Sequence, residues 1–202
     1  MRIGIFGGTF DPIHNGHLTV AEYVRTEMAL DQVLFVPAGR PWFKEGQTVT
    51  DATRRLEMTW LAVADNPHFA VSDMEVRRDG PTYTSDTLTE LRGDMGEGVE
   101  FYLILGIDAL NELHRWRRPS DVLDLATLVG VTRPGAETVD RAALDSIREG
   151  ASGEVVIVDG PLIDISAADI RRRMSEGLSV QGIIPQAVED YARRHVLYGP
   201  KE

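Results

Sequence analysis

Met1-Arg2-Ile3-Gly4-Ile5-Phe6-Gly7-Gly8-Thr9-Phe10-Asp11-Pro12-Ile13-His14-Asn15-Gly16-His17 opens the chain, and its reading decides the fold class. Ile3 to Phe6 is short and almost continuously apolar, as a strand covered on both faces should be. The run breaks at Gly7-Gly8. From His17 to Leu30 a helical period takes over, carried by Leu18, Ala21, Val24 and Met28. The loop between them is rich in glycine, yet it is neither the G-x-G-x-x-G dinucleotide fingerprint nor a P-loop. Its glycines let backbone N–H groups approach a ligand, and the start of the following helix favours an anion. His14 and His17, three apart on a first helical turn, point the same way, and Gly16 leaves room between them. Two imidazoles beside a helix amino terminus suit a polyphosphate. A metal pair is a competing reading, and one capping plus one surface histidine is the plain structural alternative.

Outward from this loop, strand and helix patterns alternate. Gln32 to Val36, Phe69 to Val76, Phe101 to Leu105, Ala126 to Val131 and Val155 to Val158 read as further strands, with the mixed run Val71 to Val76 suggesting a sheet edge. Helical patterns cover Asp51 to Ala64, Ser85 to Arg92, Val139 to Arg148, Ser166 to Ser175 and a last helix from Pro185. Ser166 and Asp169 form a capping box for the fourth of these. The alternation predicts an α/β fold: a single doubly wound, mostly parallel, Rossmann-like sheet with helices on both faces. Residues 1–202 then form one domain, with the C-terminal helical part, about 165–198, packed on the sheet. Ligands in such sheets bind beyond the carboxyl ends of the strands. The segments after Phe6, Val36, Leu105 and Val131 are therefore the places for a site, and 39–50 is the expected loop.

Composition narrows the function. Of the 202 residues, 32 are acidic and 21 basic, a net charge of −11 that argues against general nucleic-acid or anionic-membrane binding. There is no cysteine, which removes disulfides, thiolate metal sites and cysteine nucleophiles. No apolar run approaches the length of a membrane span, and Ile3 to Phe6 is too short for a signal peptide. The expectation is a cytoplasmic protein, with a homo-oligomer allowed. Lys44 is the only lysine besides Lys201.

Gly8 to His17, read as Gly-x-Phe-x-Pro-x-His-x-x-His, resembles the signature of the nucleotidylyltransferase superfamily. A second superfamily element resembles Ile165-Ser166-Ala167-Ala168-Asp169-Ile170-Arg171, with Ala168 where the superfamily has threonine. The whole chain is similar to the bacterial nicotinate mononucleotide adenylyltransferase family. That resemblance implies ATP contacts from Gly7, Gly8, Thr9, Phe10, His14, His17, Gly106, Asp108, Ser166 and Arg171, with His14, His17 and Arg171 catalytic. It implies mononucleotide contacts from Lys44, Tyr83, Thr84, Trp116 and Arg133. Mg²⁺ would arrive on the ATP phosphates, with no metal ligand from the protein. One departure is Pro41-Trp42-Phe43-Lys44, where the family commonly has Pro-Pro-His-Lys.

The residues have physical reasons of their own. Thr84 is expected to cap the helix from Ser85, whose free N–H groups suit a carboxylate. An indole at Trp116 suits stacking on a pyridine ring. Asp108 beyond a strand suits ribose hydroxyls. Taken singly, Tyr83 and Thr84 also fit a plain turn, Trp116 a half-buried surface residue, Asp108 a helix cap and Lys44 a solvated lysine. Arg172 and Arg173 read as solvated or partner-facing. The implied reaction joins ATP and nicotinate mononucleotide into deamido-NAD and pyrophosphate by direct in-line attack, without a covalent intermediate. The rivals are a phosphopantetheine adenylyltransferase-like enzyme, a catalytically silent nucleotide-binding regulator and, least favoured, an NAD-dependent dehydrogenase.

Overall fold

Ile3 and Ile5 point to one face of the first strand while Gly4 and Phe6 point to the other, and helices cover both faces. The computed structural model describes residues 1–40, 48–132, 138–161 and 165–199. Among these, strands β1 (Arg2–Gly8), β2 (Gln32–Pro37), β3 (Phe69–Val71), β4 (Glu100–Gly106), β5 (Thr127–Val131) and β6 (Val156–Val158) form one sheet in the order 3-2-1-4-5-6. Every pairing between them is parallel. The strand order reverses between β1 and β4, so the carboxyl end of β1 lies at the switch point, where ligands of such sheets bind.

Helices α1 (Asn15–Glu27), α2 (Ala52–Val63), α8 (Ala167–Ser175) and α9 (Gln186–Arg194) lie on one face. Val24, Met58, Ile170 and Val188 join Phe35, Ile104 and Val129 there in one buried cluster. The opposite face carries α3 (Met74–Arg77), α4 (Thr84–Met95), α5 (Ile107–Asn111), α6 (Pro119–Leu125) and α7 (Arg141–Asp145). Their Met74, Leu88, Leu110, Val122 and Leu144 meet Ile5, Leu34 and Leu103.

Two local expectations are corrected. The strand expected over Phe69 to Val76 ends at Val71, because the Ser72 hydroxyl accepts from the Met74 N–H (3.3 Å) and the Arg77 N–H reaches the Asp73 carbonyl (2.9 Å). The chain turns there into α3, although β3 is the edge strand, as its mixed pattern suggested. The helix expected over Val139 to Arg148 shortens to α7, with Asp140 capping it through the Ala143 N–H at 3.0 Å. Helices α5 and α6 were not legible as separate elements. They are too short to show a period, and α5 follows β4 without any intervening loop. Most of the expected 39–50 loop, with Trp42 and Phe43, lies outside the described residues.

Candidate active site

At the end of β1 the chain folds back on itself. A Cβ at Gly8 would stand 2.7 Å from the Phe10 ring, so that position needs glycine. Phe10 itself has φ 49° and is buried. Its ring meets Phe6 and Phe35 and lies edge-on to His17 at 5.0 Å between centroids. Phe10 therefore supports His17 from within the core.

The two histidines stack, with ring centroids 3.6 Å apart and 20° between planes. The His14 N–H donates to His17 Nδ1 at 3.2 Å. With Nδ1 accepting, neutral His17 carries its proton on Nε2, which makes that nitrogen the donor. The start of α1 is anchored to the far end of the chain, since the Asn15 N–H and side-chain amide donate to the Ile183 and Gly182 carbonyls (3.0 and 2.8 Å). His14, Gly16 and His17 open on a small space of about 30 Å³ bounded by Thr132, Pro161 and Ile165.

Arg171 reaches this loop from α8 and donates to the Asp11 carbonyl at 2.7 Å. Ser166 caps α8, accepting from the Asp169 N–H at 3.1 Å. The Asp11 carboxylate is buried and accepts from the Tyr198 hydroxyl (2.6 Å) and the Thr50 N–H (3.2 Å). Arg172 and Arg173 pair with Asp169, and Arg172 also with Glu176, on the outer side of the helix.

On the opposite face of β1 lies a larger cleft of about 170 Å³. Gly7, Gly8 and Thr9 form one wall, Thr84 and Trp116 another, and Ile5, Leu103 and Leu105 the floor. The expected neighbours thus come together around the end of one strand. Thr84 is not a cap, however. It is the first residue of α4, and Tyr83 precedes it with no side-chain capping bond. Tyr83 turns aside to lie beneath the Arg117 guanidinium, 4.7 Å from its ring centroid. Arg117 and Arg118 both engage Asp86 in the first turn of α4, so the arginine-rich segment fastens Trp116 to the Thr84 turn. Gly106 closes β4 and Asp108 stands exposed in the first turn of α5; neither borders the two openings. Lys44 and Arg133 lie outside the described residues.

Two residues were not foreseen. Glu75 lines the cleft and is 8% exposed; the Thr87 hydroxyl donates to its Oε1 at 2.7 Å. Burial pushes its carboxyl above the usual range, against the opposing pull of hydrogen bonds from Thr87 and Thr82. Arg55 in α2 is 1% exposed. Its position one turn before Thr59 and beside Leu56, on the apolar side of an amphipathic helix, is the signal that would have found it. Glu75 sat in a run read as strand and left no such mark. Among the described residues no group of three or more His, Cys, Asp or Glu is placed to hold a metal ion, and no helix is long and apolar enough to cross a membrane.

A family model described as cytidylyltransferase-like matches residues 5–173. A Thermomicrobium roseum protein named "Probable nicotinate-nucleotide adenylyltransferase" is 47% identical over 98% of this chain and 91% of its own. A Dehalococcoides mccartyi protein of the same name is 41% identical over 98% and 97%. Among solved structures, a Plasmodium falciparum nicotinic acid mononucleotide adenylyltransferase complexed with NaAD superposes with a TM-score of 0.78. It covers 98% of this chain and 97% of its own at 19% identity, a likeness of fold.

Proposed function

The chain belongs to the cytidylyltransferase-like family and, within it, to the nicotinate-nucleotide adenylyltransferases, and on that footing we propose that it joins ATP and nicotinate mononucleotide into deamido-NAD and pyrophosphate. One observation carries the reading beyond kinship. The histidine opening and the Trp116–Thr84 cleft lie on opposite faces of β1, the first beside Phe6 and the second along Gly7 and Gly8 at the end of the same strand. ATP held on one side and the mononucleotide on the other meet at the end of that strand.

The nucleophile is the 5′-phosphate of the mononucleotide, anionic at neutral pH, so no general base is needed. Catalysis is then positioning plus stabilisation of charge as pyrophosphate leaves. His17 Nε2–H and His14 donate to the α- and β-phosphates, and Ser166 and Arg171 receive the leaving pyrophosphate. Arg171 must first release the Asp11 carbonyl or share it. Gly106 and Asp108 are assigned to the adenosine part, and Lys44 and Arg133 to the mononucleotide. Mg²⁺ enters as part of the substrate, bound by phosphate and water. Trp116 offers an indole face to the pyridine ring, and the N–H groups at the start of α4 offer donors to its carboxylate. A single domain acting in the cytoplasm, without nucleic acid, completes the proposal.

The test is pyrophosphate release from ATP and Mg²⁺ with nicotinate mononucleotide, its amide and phosphopantetheine in parallel. Strong preference for the acid is expected. Equal rates with the amide would remove the carboxylate site at α4, and release with phosphopantetheine alone would replace the substrate. Silence with all three, in folded protein that binds ATP, would favour a regulator.

A further inference from the structure

Arg55 is the largest fully buried side chain among the described residues, and nothing in the reaction as derived uses it. Its guanidinium makes three hydrogen bonds to three backbone carbonyls, one in the loop after β1 and two at opposite ends of the connection between β2 and α2. Nη1 donates to Thr9 (2.6 Å), Nε to Thr50 (2.8 Å) and Nη2 to Gly39 (3.0 Å). Thr9 belongs to the loop that carries His14 and His17. Thr50 holds the same loop from its other side, because its N–H donates to the Asp11 carboxylate at 3.2 Å. Gly39 belongs to the segment after β2, and that segment is pressed against the pyridine side of the site. A Cβ at Gly39 would stand 2.0 Å from the Glu75 carbonyl, and the Arg40 carbonyl accepts from the Thr82 N–H at 3.2 Å. The planar fork thus joins the histidine loop to the backbone on which the Thr82–Thr84 turn rests.

Such a group is costly to bury unless it does something that a methionine would not. A guanidinium out of water loses hydration that three carbonyl bonds repay only in part. The acidic groups near it are also divided between the two half-sites, since Asp11 lies in the histidine loop and Glu75 lines the cleft. We propose that Arg55 is a positioning residue that fixes the ATP loop and the pyridine turn at one mutual distance, so that the two phosphates meet in line. The inference rests on the adenylyl-transfer reading above. Each half-site is built largely from its own neighbours and survives without Arg55; what is lost is their registration.

The experiment compares wild type, Arg55→Met and Arg55→Lys in pyrophosphate release, together with equilibrium binding of ATP alone and of nicotinate mononucleotide alone. All measurements are made well below each variant's unfolding midpoint and normalised to folded protein. Arg55→Met should lower kcat about a hundredfold, the cost of a misplacement of about 1 Å between reacting groups, with both single-substrate affinities close to wild type. Arg55→Lys keeps the charge but a single ammonium cannot reach all three carbonyls, so its kcat should fall as well, by less. Should Arg55→Met fail to fold, Arg55→Lys carries the test. Wild-type kcat in a folded variant would overturn the proposal, as would loss of affinity for ATP alone that accounts for the whole defect, or failure of both variants to fold. A wild-type protein that releases no pyrophosphate at all would instead fail the adenylyl-transfer reading.

Discussion

A carboxyl group enclosed by protein holds its proton more tightly than one in water, and Glu75 is such a group. Its ordinary value is 4.5, and burial raises it in the folded state. Above 4.5 the unfolded chain gives up this proton while the native protein still holds it. The stability that Glu75 contributes is therefore complete below 4.5 and declines as pH rises through the folded value. Each tenfold gain in proton affinity corresponds to about 1.4 kcal/mol. Glu75→Gln, uncharged throughout, should gain stability relative to wild type as pH is raised from 4.5, read as the difference between urea midpoints; parallel curves would refute this. His17 makes the complementary case for function. Its ring is half-buried and its one bond to the backbone, from the His14 N–H, lies at the very start of α1, so His17→Ala should keep the far-ultraviolet circular dichroism of the native fold. Turnover should fall about 10²–10³-fold, as when one charge-stabilising donor is removed. Near-normal turnover would remove His17 from the phosphate site.

At the scale of elements, the site is assembled by helix ends that receive help from far along the chain. After α9 the backbone passes through left-handed conformations at Val196 (φ 53°) and Tyr198 (φ 60°), which return the tyrosine to the first loop. Its hydroxyl donates to the Asp11 carboxylate, and burial holds the phenol protonated, its pKa well above the usual range. Tyr198→Phe strips one donor from a carboxylate that is 4% exposed. The cost should be about 1.5–3 kcal/mol, typical of a hydrogen bond to a charged group. Chemical denaturation checks it, and an unchanged midpoint would mean that water replaces the hydroxyl. Expectations at this scale held where a period or a cap is long enough to read, as in α1, α2 and α8. They failed where a three-residue strand runs into a one-turn helix, as between Phe69 and Arg77.

For the molecule as a whole, α8 and α9 share a buried cluster with β2, β4 and β5. The C-terminal part therefore has no core of its own. Thermal unfolding should show one calorimetric transition, with van't Hoff and calorimetric enthalpies in agreement. A separate early transition, lost on truncation before Ser166, would show that the helical part folds independently. In the arginine-rich segment Arg115, Arg117 and Arg118 pair with Glu112, Asp86 and Asp121.

By itself the sequence determined what is local. The strand–glycine–helix opening, the shared direction of His14 and His17, the Ser166 cap and the alternation that makes a parallel sheet all follow from residues a few positions apart. Tertiary structure alone decided what depends on separation. It brought Arg171 and Tyr198 to Asp11, set Trp116 beside Thr84, and split the site across the two faces of β1. It also buried Arg55 and Glu75. Period and propensity register which face of an element is apolar, whereas the partner of a buried charge is fixed by which loops meet over it, and those loops lie far apart in the chain.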